Sequence, residues 1–502
     1  MTPVTRTIPA FFRDAVEASP DRTWLLAPDL ELTYAQALDR IERGAAALRA
    51  AGVGPGDRVL HTPRNHPDHL LAWFSILEAG ATQVPVNPKG TADELAGFVR
   101  QVRPAAILTD PDLVPVVGPV DAPVLHGDDL ASTAADGRGP DVVDSDAVAV
   151  MIPTSGTTGR SKLVMQTHRA YVMAGEGFPW WLGLTADDRL MTSLPLFHIN
   201  APAYSTLGSV GAGAGLVLLP AFSGSGFLDD ARRFGATQFN SIGAMLEILL
   251  LQPERDDDAD TPLRLCYTGP SPTEERHLEA EARFGLRITC GYALSESPYG
   301  TVWRHGTRPY GTLGAVRQHP TLGEVNEGRV VDESGAEVAI GEQGVLQLRN
   351  PAVMKGYFEM PEETAAVLSE DGWLDTGDLV VRNADETYTF IGRKKEVIRR
   401  RGENLSPAEV EATLERHPTV AEVAVVGVES ELSEEDVKAF VVAVPGTEVD
   451  FPTLKAFAAE HLARFKVPRW WEQVDELPHT ATDRVKRREL PRGRTDQEVD
   501  LG

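Results

Sequence analysis

The chain has 502 residues, 42% hydrophobic and 24% charged, an ordinary globular balance in a length that exceeds what one core serves, so two or more domains are expected. A formal net charge of −26 excludes the basic footprint of a nucleic-acid binder. Cys266 and Cys290, both in apolar runs, exclude a disulfide framework or a cysteine metal cluster and point to a reducing, cytoplasmic setting. Residues 1–13 carry no basic segment ahead of an apolar core, and the glycine-rich apolar run 211–222 is too short to span a bilayer, so neither signal peptide nor membrane span is expected.

In chain order, residues 8–18 and 33–51 space their apolar positions as helices, the second beginning at a Thr33 cap and stopping at Gly52. Residues 58–62, 70–78, 83–87, 91–102 and 105–109 then alternate strand with helix, which predicts a parallel sheet covered on both faces. The Asp/Gly/Ala/Pro-rich stretch 121–146 reads as a surface connection. It leads to an apolar strand, 147–152, and then to Thr154-Ser155-Gly156-Thr157-Thr158-Gly159-Arg160-Ser161-Lys162. Two glycines three apart let the backbone turn and bring N–H groups close to a ligand, while hydroxyls and two cations suit phosphate. No Gly-Lys-Ser/Thr closes a Walker A spacing.

Further on, Pro195-Leu196-Phe197-His198-Ile199-Asn200 precedes strands at 216–219 and 238–242, the latter holding Asn240, and a helix at 245–251. The apolar strand 265–267 runs into the turn Thr268-Gly269-Pro270, and the strand 286–290 into Gly291-Tyr292-Ala293-Leu294-Ser295-Glu296. Gly335, Gly341 and Gly344 punctuate short alternating strands in 315–354, which predicts an antiparallel β-subdomain. Gly372-Trp373-Leu374-Asp375-Thr376-Gly377-Asp378 and Gly392-Arg393-Lys394-Lys395-Glu396 follow. Beyond them, 405–414, 420–428, 437–444 and 454–463 read as a small α+β domain, and Leu477-Pro478-His479-Thr480 leads into Asp483-Arg484-Val485-Lys486.

In this order the motifs resemble those of the adenylate-forming superfamily: acyl-CoA synthetases, peptide-synthetase adenylation domains and luciferases. These enzymes activate an acid with ATP as an acyl-AMP, releasing pyrophosphate. The resemblance implies an α/β fold: a large N-terminal adenylate-forming domain, residues 1–394, of parallel αβα layers with a β-subdomain, and a small mobile α+β domain, 395–502, hinged at Lys395. It implies a phosphate loop in which Thr154, Ser155, Gly156, Thr158, Gly159 and Lys162 bind nucleotide and Thr157 is catalytic. Gly269 and Pro270 approach the adenine, Tyr292 packs beside it, Ser295 contacts the α-phosphate and Glu296 holds Mg²⁺. Asp378 accepts from the ribose hydroxyls and Arg393 reaches the ribose and phosphate side. His198, Asn240, Gly291 and Ala293 fall in the acid pocket.

This chain departs from the family pattern at Ala293 (glycine in the family), Ser295 (threonine) and Asp483-Arg484 (glycine-lysine), so Arg484 or the nearby Lys486 is the candidate for the catalytic cation. ATP and Mg²⁺ are the implied cofactors, a small acid the implied substrate, and CoA the implied acceptor of a carboxylate:CoA ligase. A homodimer is compatible with this reading. A finer resemblance, carried by Pro-Leu-Phe-His-Ile-Asn and by residues 291–300, is to actinobacterial ligase-like enzymes that include diazotases, which activate nitrite and transfer it to an aryl amine. A non-catalytic nucleotide-binding relative is the third reading.

Overall fold

The computed structural model describes residues 6–141, 143–154, 161–269, 271–304, 306–394, 396, 398–400, 403–429, 435–479 and 485–502. Its packing separates two compact units, one of Met1–Gly328 with Gln347–Leu374, the other of Arg329–Leu346 with Asp375–Gly502.

In the first unit, one sheet of the described residues runs Val124–Leu125, Ala106–Leu108, Arg58–His61, Thr82–Pro85, Val148–Thr154, Lys162–Thr167. Its neighbours are parallel until the last pair, which is antiparallel. Alternation along the strands decides which helix covers which face. Val59, Ala106 and Leu108 pack with Ala45, Leu48 and Ile76 of the helices Tyr34–Ala50 and Pro67–Glu78. Leu60 and Ile107 face the other way, onto Leu95 and Val102 of the helix Ala92–Val102. Reciprocal capping boxes, Thr33 with Gln36 and Thr91 with Glu94, start two of these helices by satisfying backbone donors that lack intrahelical partners.

The larger sheet runs Ala315–Val316, Ser297–Val302, Arg287–Leu294, Leu265–Gly269, Gln238–Ile242, Arg189–Thr192, Gly215–Leu218, Thr23–Ala27, Leu30–Thr33. From Arg287–Leu294 to Thr23–Ala27 it is parallel. Both edges turn back as antiparallel strands. Cys266 and Cys290 lie on adjacent strands as buried free thiols, and burial pushes Cys290 up to about 12, so neither is a ready nucleophile.

Two readings of the sequence change here. The stretch 121–146 contributes a short strand, Val124–Leu125, to the sheet edge and a helix, Gly127–Ser132, whose Leu130 enters the core. The strand expected at 286–290 continues through Leu294, because an antiparallel partner, Ser297–Val302, pairs with Gly291 and Tyr292.

A buried relay ties the smaller sheet to its helix. Gln83 Nε2 donates to His61 Nδ1 (2.8 Å), so His61 Nε2 donates to His69 Nδ1 (3.0 Å) and His69 Nε2 to Asp110 (3.1 Å). Burial holds both imidazoles below their ordinary value of 6.5, and buried His168 falls to about 4. Unfolded, these rings take up protons near 6.5. The unfolded state therefore binds more protons between pH 6.5 and 4, and stability is lost as pH falls through that window. Calorimetry should show the first unfolding transition of the protein moving down in temperature from pH 7.5 toward pH 5, with net proton uptake on unfolding.

The second unit contains the hairpin of Leu374–Arg382, from Asp375 on, with Tyr388–Arg393 and a sheet ordered Val420–Glu429, Glu435–Ala443, Trp470–Gln473, Val499–Asp500. Val423 and Val425 face the helices Pro407–Leu414 and Phe451–His461, while Ala424 and Val426 face Trp470, Leu477 and Leu490. The expected hinge residue, Lys395, lies outside the described residues. No helix among the described residues is long and apolar enough to cross a membrane.

Candidate active site

Strands Val148–Thr154 and Lys162–Thr167 pair antiparallel, with Thr154 opposite Lys162, and the Thr154 hydroxyl donates to the Lys162 carbonyl (3.4 Å). They close the base of the hydroxyl-rich loop. Ser155, Gly156, Thr157, Thr158 and Gly159 lie outside the described residues. The Lys162 ammonium sits 4.3 Å from the centre of the Tyr357 ring.

Ser295 and Glu296 form the two-residue tip between Arg287–Leu294 and Ser297–Val302, because Leu294 pairs with Ser297. Three contacts fix the tip. Gln166 Nε2, from the strand leaving the loop, donates to the Ser295 carbonyl (2.7 Å). Met354 N donates to the Glu296 carbonyl (2.8 Å), and the Tyr357 hydroxyl donates to Glu296 Oε1 (2.8 Å). Burial and the Glu296 carboxylate both push the Tyr357 phenol up, so it stays protonated and donates. Glu296 is half-buried and pairs with no cation among the described residues. A carboxylate so placed fits a divalent cation carried in by a nucleotide, since carboxylate and phosphate alone repel.

Glycine is required where the strands behind this tip crowd. A Cβ at Gly269 would lie 2.4 Å from the Gly291 carbonyl. One at Gly291 would lie 2.7 Å from Tyr267 Oη, 2.9 Å from Arg317 Nη2 and 2.9 Å from the Thr301 carbonyl. Pro270 lies outside the described residues, while Tyr292 pairs with Thr301 and Ala293 packs partly buried against the main core. Arg317 is fully buried and donates to Tyr204 Oη, Tyr267 Oη and the carbonyls of Pro298 and Thr301, with no carboxylate partner among the described residues.

His198 is half-buried, its ring 4.6 Å from that of Phe197. Just beyond it the chain turns as a π-helix, Ala201–Thr206. Asn240 joins the same neighbourhood: its amide donates to Asn200 Oδ1 (2.7 Å) and accepts from Gln238 (2.7 Å). Asn65 holds the segment before His198, donating to the carbonyls of Leu194 (2.9 Å) and Leu219 (3.3 Å) and accepting from Leu196 N (3.1 Å).

In the second unit, register sets Asp378 opposite Arg393, and Arg393 Nε lies 2.6 Å from Asp378 Oδ1. Gly377, at φ 69°, turns the backbone there, and Thr376 anchors to the Leu346 carbonyl (2.7 Å). Lys486 is exposed and paired with Glu489 (3.0 Å), whereas Arg487 is bound by Glu411 and Glu396. Arg484 lies outside the described residues.

The family model "AMP-binding enzyme" matches residues 12–358, and "AMP-binding enzyme C-terminal domain" matches 409–484. The chain belongs to the AMP-binding enzyme family. It is an adenylate-forming ligase of mixed α/β fold. Among its curated relatives is the crotonobetaine/carnitine–CoA ligase of Salmonella heidelberg (strain SL476), 29% identical over 487 residues, which cover 92% of this chain and 93% of the relative. Among solved structures, ATP-bound MatB from Rhodopseudomonas palustris superposes with a TM-score of 0.87 at 27% identity, covering 96% of this chain and 97% of that one. O-succinylbenzoate coenzyme A synthetase (MenE) from Bacillus subtilis, in complex with AMP, gives 0.88 at 26% identity over 98% and 99%.

In this AMP-binding enzyme, sequence reading missed Tyr357, Gln166, Asn65 and Arg317, all of which act on the site's geometry through neighbours distant in the chain. Tyr357 did have a local signal: Lys355-Gly356-Tyr357 stands just ahead of the short proline-started helix Pro361–Ala365, outside the regular alternation of the preceding strands.

Proposed function

We propose that this enzyme is an ATP-dependent carboxylate:CoA ligase acting on a small acid. The observation that carries the reading is the hairpin tip, which presents Ser295 and a Glu296 with no cation partner among the described residues beside the base of the phosphate loop. The CoA ligases among its relatives support CoA as the acceptor. In the first half-reaction a carboxylate oxygen of the acid attacks the α-phosphorus, and the bond to pyrophosphate breaks. In the second, a CoA thiolate attacks the acyl carbon and AMP leaves.

Thr154, Ser155, Gly156, Thr158, Gly159 and Lys162 hold the phosphates, Thr157 serves as the catalytic residue of the same loop, and Ser295 contacts the α-phosphate. Gly269, Pro270 and Tyr292 flank the adenine, and Asp378 with Arg393 takes the ribose. His198, Asn240, Gly291 and Ala293 shape the acid pocket. Glu296 holds Mg²⁺, which neutralises phosphate charge when bound. Residues 395–502 act as a separate domain turning about Lys395 between half-reactions. A cytoplasmic enzyme, active alone or as a homodimer, suits this reading.

The lysine-motif departure gives a direct test. Arg484→Ala should abolish pyrophosphate release with the native carboxylate yet spare thioester formation from supplied acyl-adenylate, because only the first step must bring an anionic carboxylate onto the negatively charged α-phosphate. If Lys486 serves instead, Lys486→Ala shows that pattern and Arg484→Ala is mild. Single-turnover assays of both half-reactions separate the cases. ATP cleavage to AMP and pyrophosphate driven by nitrite, with an aryl amine turned into a diazonium and no response to carboxylates, would replace the ligase reading with the diazotase one.

A further inference from the structure

The segment Met354–Phe358 belongs to none of the motifs above, yet it touches two of them. It runs antiparallel beside Lys162–Thr167: Lys355 N donates to the Met165 carbonyl (3.0 Å), Met165 N to the Gly356 carbonyl (3.0 Å), and Phe358 N to the Leu163 carbonyl (2.9 Å). This pairing sets Tyr357 opposite Val164, two residues from Lys162. Thr364 fixes the same point by accepting from Tyr357 N (2.9 Å). At its start the segment holds the hairpin tip through Met354 N and the Glu296 carbonyl.

The Tyr357 side chain completes the connection. Its hydroxyl donates to Glu296 Oε1 at 2.8 Å, and its ring lies 4.3 Å below the Lys162 ammonium, with the residue only 6% exposed. A phenylalanine would fill the same space and carry the same cation–π contact. The hydroxyl is therefore surplus to packing. What it adds is a charge-assisted hydrogen bond that fixes one oxygen of a flexible carboxylate and leaves Oε2 without a partner among the described residues.

We propose that Tyr357 is a positioning residue for the first half-reaction: it sets the Glu296 carboxylate toward the nucleotide's metal and the Lys162 ammonium toward the phosphates. The inference rests on the reading of Glu296 and Lys162 given above. It acts through both side chains rather than by touching the substrate.

The test uses the full-length enzyme and Mn²⁺ with α,β-methylene-ATP, a non-reacting probe, and follows Mn²⁺ binding to the enzyme–analogue complex by electron paramagnetic resonance. Tyr357→Phe should weaken Mn²⁺ binding about tenfold, leave the thermal midpoint unchanged, and raise the Mg²⁺ concentration for half-maximal pyrophosphate release by a similar factor. In a Glu296→Gln background the same substitution should change Mn²⁺ binding less than twofold, because the hydroxyl no longer acts on a charge. An equal loss in both backgrounds, or no loss from Tyr357→Phe while Glu296→Gln alone weakens binding, overturns the role of Tyr357. If Glu296→Gln leaves Mn²⁺ binding intact, the metal-side reading of Glu296 fails, and this inference with it.

Discussion

Glu296→Gln should slow acid-dependent pyrophosphate release about 100-fold or more, since charge neutralisation at transferring phosphate is worth several kcal/mol and each 1.36 kcal/mol is tenfold in rate. The substitution keeps the side chain's shape, and the amide oxygen can still accept from Tyr357, so the hairpin tip should survive. Transfer from supplied acyl-adenylate to CoA should be nearly unaffected, because that step no longer carries a pyrophosphate leaving group. Rapid-quench measurement of the two half-reactions distinguishes a selective loss from general damage. Equal slowing of both would remove Glu296 from the phosphate side of the site.

Asp378→Ala should weaken ATP and AMP alike. Hydrogen bonds to a charged acceptor contribute roughly 1.5–3 kcal/mol, which corresponds to a loss of about tenfold or more. The carboxylate is 1% exposed and held by Arg393, so its removal also leaves the guanidinium without that partner. Asp378→Asn keeps the volume and one acceptor oxygen, and should lose less affinity at near-native stability. Titration calorimetry with both nucleotides checks the order wild type, Asn, Ala. Unchanged affinities in a folded Ala variant would exclude Asp378 from ribose binding.

Within the first hundred residues the helices and the strands near 58–62 and 83–87 were legible from caps and apolar runs, whereas the strands Thr23–Ala27 and Leu30–Thr33 were not read. Thr33 and Thr91 cap as their sequences indicate, and residues 8–18 form a helix with those bounds. Legibility ended where structure depends on a distant partner. The strand through Gly291 and Tyr292 is sustained by Ser297–Val302, and nothing in Gly-Tyr-Ala-Leu itself favours a strand over the turn its glycine suggests. The long helix His168–Leu182, with Pro179 inside it, was not read, because its apolar residues surround it almost completely and leave no amphipathic period.

The site shows the same division. Thr154, Lys162, Ser295 and Glu296 stand out as motif residues, since chemistry of that kind needs hydroxyls, cations and carboxylates in short runs. Tyr357, Gln166 and Asn65 do not, because each works through hydrogen bonds to segments tens of residues or more away. Arg317 is the extreme case. A lone arginine in a polar stretch gives no sign that four carbonyl and hydroxyl groups will enclose it completely.

The most direct measurement of the central claim is the fate of carboxylate oxygen. The enzyme is incubated with ATP, Mg²⁺, CoA and an accepted acid labelled with ¹⁸O in both carboxylate positions, and the products are weighed by mass spectrometry. The proposed sequence predicts one labelled oxygen in AMP and one in the acyl-CoA thioester, because the attacking oxygen stays with phosphorus when sulfur displaces it. AMP free of label in the presence of labelled thioester, or ATP cleavage to ADP, would contradict formation of an acyl-adenylate.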